Sequence, residues 1–126
     1  MSKIQPSNPA QSAQIFPRLA KAIFVQQQTG NTVPIYLMID NFSKAHFELL
    51  KREIKRFLEQ GKNVEVKVGK TSWYIGKVAR TARLIKSWED YFSNITKRLV
   101  TAEINNDIPG DYERTYVIFN AGNVIT

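Results

Sequence analysis

Residues 64–86 read VEVKVGKTSWYIGKVARTARLIK, and the fold turns on what the chain does after Val68. Val64, Val66 and Val68 alternate with Glu65 and Lys67, the period of two expected of a strand with one buried face. Gly69 to Ser72 have the composition of a turn. From Trp73 to about Ala82, aromatic and β-branched residues favour a returning strand, so the stretch reads as a β-hairpin, with Gly76 marking a bulge. A competing reading runs one long helix over 78–102, because Val78, Ile85, Phe92 and Leu99 recur every seven residues. The hairpin is preferred, followed by a helix over roughly 88–102. In that helix Trp88, Phe92, Ile95 and Leu99 form the apolar series, behind Ser87 and Asp90 at capping-box spacing.

The tripeptide Gly69-Lys70-Thr71 is how a phosphate-gripping P-loop ends. Such a loop also needs glycine five residues before the Gly-Lys pair, so that backbone N–H groups curl around the phosphates, and a helix starting at the Lys-Thr. Val64 occupies the glycine position and a strand is expected where the helix should start. Nucleotide hydrolysis is therefore not expected.

Upstream, VPIYLMI at 33–39 is an apolar run too short for a helix and rich in strand formers. Pro34 places it at a sheet edge or marks the first residue of the strand, since proline donates no ladder hydrogen bond. Phe47, Leu50, Ile54, Phe57 and Leu58 then recur at helical steps, with Ser43 as N-cap and Gly61 at the end. Residues 13–28 read as helix at their start and strand at their end, turning through Thr29-Gly30-Asn31. Downstream, Asn105 to Gly110 is a turn by composition, and YVIF at 116–119 is a closing strand.

These elements predict a small α+β domain: an antiparallel sheet with two or three helices, over residues 13–126, behind a flexible polar leader at 1–12. From residue 33 the order is strand, helix, strand, strand, helix, strand, which matches the ferredoxin-like βαββαβ pattern. That arrangement hosts unrelated activities, so it locates a binding face and no more.

At 126 residues the chain is the size of one domain. It has no cysteine, which excludes disulfides, thiolate metal sites and a cysteine nucleophile. No apolar run is long enough for a signal peptide or a membrane span, and an intracellular, cytoplasmic protein is expected. The net charge of +7 is unevenly spread. Residues 44–86 hold twelve basic and four acidic side chains, whereas 87–126 hold three and six. Such asymmetry points to a polyanionic partner.

Catalytic chemistry is poorly represented. His46 stands alone and is expected on the polar side of the first helix, so neither a triad nor an imidazole-based metal site can be assembled. Asp40, closing an apolar strand, is the most site-like carboxylate, but Asp-Asn before a helix is ordinary capping chemistry. No enzyme, cofactor or metal is expected.

The sharper signal is the set Lys67, Lys70, Trp73, Tyr74, Lys77, Arg80, Arg83 and Lys86, six cations without an acidic residue among them and two aromatics in their midst. Adjacent strand residues point to opposite faces, so one of Trp73 and Tyr74 is expected to be accessible. Cations that hold phosphates beside a ring that stacks on bases are what single-stranded nucleic acid requires. The basic residues of the first helix read instead as ordinary surface pairs with Glu48 and Glu59. The RNA-recognition-motif consensus is missing, because Trp73, Tyr74 and Gly76 stand in the wrong order. The expectation is a small basic nucleic-acid-binding protein of low sequence specificity that prefers single-stranded DNA or RNA. The alternative is a protein-interaction or assembly subunit, a homo-oligomer of mobile-element or viral kind, with the seven-residue series from Val78 to Leu99 as its seam.

Overall fold

The computed structural model describes residues 22–38, 42–68, 75–106 and 115–125. The elements in order are β1 (Ile23–Val25), β2 (Thr32–Leu37), α1 (Lys44–Glu59), β3 (Asn63–Val68), α2 (Ile75–Lys86), α3 (Glu89–Thr96), β4 (Arg98–Asn106) and β5 (Thr115–Val124). The strands form one sheet in the order β1-β2-β3-β5-β4. The α+β class is as expected. The sheet is mixed rather than antiparallel, because β2 and β3 are parallel neighbours joined across α1 while the other pairs are antiparallel. In a ferredoxin-like sheet another strand separates that pair, so the βαββαβ expectation does not hold.

The helices cover one face of the sheet. Val33, Ile35 and Leu37 of β2, Val64 and Val66 of β3, and Val117 and Phe119 of β5 share a core with Leu49, Leu50, Ile54 and Leu58 of α1. Ala82 and Ile85 of α2 and Phe92 of α3 complete it. The strong reading of α1 is met at both ends. Ser43 caps it, its side chain accepting from the backbone N–H of His46, and Gly61, at φ 82°, follows the last turn.

The hairpin after Gly69 is overturned. Residues 75–86 are helical, and the segment carrying Lys70, Trp73 and Tyr74 lies outside the described residues. The aromatic pair suggests a strand. From Val78 onward, however, Ala79, Arg80, Ala82, Arg83, Leu84 and Lys86 are mostly strong helix formers. Ala82 and Ile85, three apart, both point into the core. The long helix over 78–102 does not form either. A two-residue turn separates α2 from α3, and α3 ends at Thr96.

Ser87 does not cap α3; its hydroxyl donates to the Leu84 carbonyl at 2.6 Å, and Trp88 is the N-cap. Residues 98–106, expected in part as helix and in part as turn, are strand β4. There Val100 and Ala102 are buried and alternate with exposed Thr101 and Glu103. Lys97, left-handed at φ 58°, makes the break between α3 and β4. The closing strand is longer than YVIF and takes in Asn120 to Val124. The leader at 1–12, the start of the 13–28 stretch and Asp40 lie outside the described residues, and the end of that stretch is strand, as expected.

Pro34 sits at neither an edge nor a strand start. It is the third residue of β2, which has neighbours on both sides. The Gln26 N–H donates to the Pro34 carbonyl at 2.8 Å, so the proline nitrogen faces the β1 side. The named β1 ladder has already stopped at Val25 there. The missing donor is placed where regular pairing ends.

Candidate functional site

Strand alternation that buries one set of side chains presents the other set on the opposite face. No described helix lies over that second face. Register places Phe24 beside Tyr36, Tyr36 beside Lys67, Lys67 beside Tyr116, and Tyr116 beside Asn105. Neighbouring strands stand about 4.8 Å apart, so Phe24 to Tyr116 spans roughly 14 Å across four strands. Tyr36 is 37% exposed, Lys67 is exposed, and Phe24 and Tyr116 are half-buried. The Tyr116 hydroxyl accepts from Asn105 Nδ2 at 2.8 Å, which fixes the ring's orientation.

The next row, toward the start of β3, has the opposite electrostatic character. Pro34 is beside Glu65, Glu65 beside Ile118, and Ile118 beside Glu103. Glu65 Oε1 lies 3.5 Å from Lys67 Nζ. An ion pair this exposed is weak, and leaves the ammonium available to a phosphate. On this face the positive charge of Lys67 thus lies in the Tyr36 row, and the negative charges of Glu65 and Glu103 lie in the neighbouring row.

A cleft of about 740 Å³ opens at the β1 side of the same face, lined by Gln26, Gln27, Gln28 and Thr29, by Pro34 and Tyr36, and by Lys67. The carboxamide of Gln28 is committed to the turn, donating to the Gly30 carbonyl at 2.7 Å. Among the described residues no side-chain partner engages Gln26 or Gln27.

The expected basic set is not brought together. Lys67 is on the sheet face that no described helix covers, whereas Arg80 and Arg83 are exposed on α2, in the layer on the other side of the sheet. Lys77 falls in the first turn of α2. Lys86 is a structural residue, since its ammonium donates to the Ala102 carbonyl at 2.6 Å. Two neighbours act with it: the Ala102 N–H donates to Glu89 Oε2 at 2.6 Å and the Val100 N–H donates to Ser93 Oγ at 3.0 Å. Together these side chains cap the outer edge of β4, which would otherwise offer unpaired amides to another chain. Among the cations of α1, Lys55 pairs with Glu59 as expected, while Lys51 meets Glu48 and Arg56 meets Glu53, each within 3.0 Å.

Sequence reasoning missed Phe24 and Tyr36. The signal is present in β1 and β2, where each aromatic sits between two apolar residues that share the opposite face. Reading 33–39 as one apolar run conceals it.

His46 is a second correction. It is 7% exposed and not on the polar surface. The Ser43 N–H donates to its Nδ1 at 2.8 Å, closing a reciprocal capping box, and its ring stacks on Phe42 at 5.3 Å. Serine followed three residues later by a capping side chain is a legible pattern, here with histidine in place of glutamate or glutamine. Burial lowers the imidazole pKa from its ordinary 6.5. The neutral ring is thus favoured in the folded state, and the stability it supports is complete above about pH 6.5 and declines as pH falls below that value toward the folded pKa. Thermal unfolding followed by circular dichroism between pH 7.5 and 5 should show the wild-type midpoint falling across this window. In H46Q, which keeps an N3 capping group without a titration, the fall should be smaller; an identical fall would remove His46 as its cause.

Among the described residues no three or more histidine, cysteine or acidic side chains gather as a metal site, and no described helix is long and apolar enough to cross a membrane. The molecule is thus a sheet protein with one helix-covered face and one face carrying a row of rings and a lysine. Compared with known protein families, curated proteins and solved structures, the chain matches none.

Proposed function

We propose that the protein binds single-stranded nucleic acid, DNA or RNA, on the open face of its sheet and performs no catalytic step. The observation that carries this reading is the row Phe24–Tyr36–Lys67–Tyr116, in which a cation stands between aromatic rings on adjacent strands. Rings on a sheet offer flat surfaces to unstacked bases, and the lysine offers a charge to the phosphate between them. The overall charge of +7 favours approach of any polyanion. Lys70, Trp73 and Tyr74 lie outside the described residues. Arg80 and Arg83 face away from that row.

Fluorescence anisotropy with labelled oligo-dT and oligo-U tests this reading. Y36A should weaken binding about 5- to 150-fold, the equivalent of about 1–3 kcal/mol for one stacked base. K67Q should reduce the slope of log K against log salt by about 0.7, the contribution of one phosphate contact on a single strand. The double variant R80Q/R83Q should change affinity far less than Y36A. If R80Q/R83Q abolishes binding and Y36A does not, the sheet face is not the site.

The competing reading, an assembly subunit, loses its seam, because Ile85 and Phe92 are core residues. Its remaining support is an exposed apolar group, Leu99, Val124 and Ile125, brought together where β4 begins and β5 ends. Sedimentation of the same preparation distinguishes the two, since the nucleic-acid reading holds for a monomer.

A further inference from the structure

The row of rings explains attraction to single strands without regard to sequence, but the cleft beside it has different chemistry. Its lining is rich in carboxamide, and carboxamides read hydrogen-bonding edges, whereas rings read only flatness. Resting on the reading above, we infer that the cleft lined by Gln26, Gln27, Tyr36 and Lys67 is a base-reading subsite, which takes one nucleobase of the bound strand and prefers adenine. Its volume of about 740 Å³ falls within the roughly 300–1,000 Å³ of sites that enclose small organic groups, so a nucleotide fits with room for water.

The lining residues divide the work of recognition. Tyr36, in β2, supplies the stacking surface at the cleft wall. Lys67, its register neighbour in β3, meets the phosphate of the same nucleotide. Gln26 and Gln27 follow the end of β1, and among the described residues their carboxamides have no hydrogen-bond partner, although the Gln26 backbone N–H still donates to the Pro34 carbonyl. Gln28 is different: its carboxamide is already bonded to the Gly30 carbonyl within the turn.

A carboxamide presents a donor and an acceptor side by side. Adenine answers with its N6 amino group beside the N7 acceptor, the pairing that glutamine makes most readily with a base edge. The same purine offers the larger surface to Tyr36.

The test compares a 12-nucleotide oligo-dT with the same oligonucleotide carrying three central adenines, and the two ribose counterparts, by anisotropy at fixed salt. The adenine-bearing strands should bind about tenfold tighter, the low end of what a two-bond base contact discriminates. Q27A and Q26A should each reduce that ratio while leaving affinity for plain oligo-dT nearly unchanged. Because Gln27 is exposed, its replacement leaves the core untouched, and circular dichroism on both variants confirms folding. Equal affinity for all strands, unaffected by either substitution, would overturn the base-reading subsite and leave the sheet-face reading standing. Failure to bind any strand at low salt overturns both.

Discussion

Phe92→Ala is expected to destabilise the protein by about 3–5 kcal/mol, the cost of removing a fully enclosed phenyl ring. Phe92 has no exposed surface, and its ring lies 5.3 Å from that of Phe119 and 5.8 Å from that of Trp88, edge-on in both cases. It joins α3 to the central part of the sheet, so the cavity would open between two layers with little freedom to collapse. A loss of this size is a large part of the roughly 5–15 kcal/mol that holds a typical domain together. Urea unfolding should show a much lower midpoint with a similar slope. Tyr91→Ala, at the exposed neighbouring position, should cost about 1 kcal/mol, mostly through its contact with Lys51 at 5.2 Å. Equal effects at the two positions would mean that α3 does not dock by Phe92. Any loss of self-association in a Phe92 variant would then reflect unfolding and not a broken seam.

Gly122→Ala is expected to cost about 3 kcal/mol, the upper part of the usual range for forcing an extra carbon into a packed site. β4 and β5 change register between Arg98 and Val100, so that Gly122 and Asn123 of β5 stand opposite Leu99 alone and form a bulge in β5. A Cβ on Gly122 would collide with the Leu99 carbonyl oxygen and stand 3.3 Å from the Leu99 Cβ. The first obstacle is backbone, which cannot swing aside as a side chain does. Relief requires the bulge to open, and with it the link between the Arg98 guanidinium and the Gly122 carbonyl at 3.0 Å. Chemical denaturation of G122A measures the cost, and a shift below about 1 kcal/mol would show that the close approach is not maintained in solution.

The legible parts of this fold share one property: their signal is complete within a few consecutive residues. The α1 pattern from Phe47 to Leu58, with Ser43 before it and Gly61 after it, contains its own start, face and stop. The alternation at Val64, Val66 and Val68 likewise states its buried face. The segment after Gly69 misleads because local preference changes partway along it. Trp73 and Tyr74 speak for a strand, and the alanines, arginines and lysine that follow speak for a helix. β4 is hidden because the apolar spacing of α3 runs on through Leu99 without a glycine to stop it; Lys97 makes the break in a conformation that lysine seldom adopts.

For the candidate site, Lys67 is legible as a cation on the polar side of a strand, and its neighbours are not. Tyr36 is 31 residues away in sequence and Tyr116 is 49, and they meet Lys67 only through the register of β2 and β5 on β3. Arg80, Arg83 and Lys86 group with Lys67 by proximity along the chain, but the helix carries them to the other layer.

By itself the sequence determined the α+β class, the first helix with its caps, the core face of β3, and the basic composition. Each follows from composition or from a periodicity that one element holds alone. The tertiary structure decided which strands are neighbours, that β2 and β3 run parallel, and that Lys86 caps an edge. It also set Phe24, Tyr36, Lys67 and Tyr116 in one row. Strand order and register depend on contacts between distant segments, and the energy that selects them resides in the shared core and in no single stretch of chain.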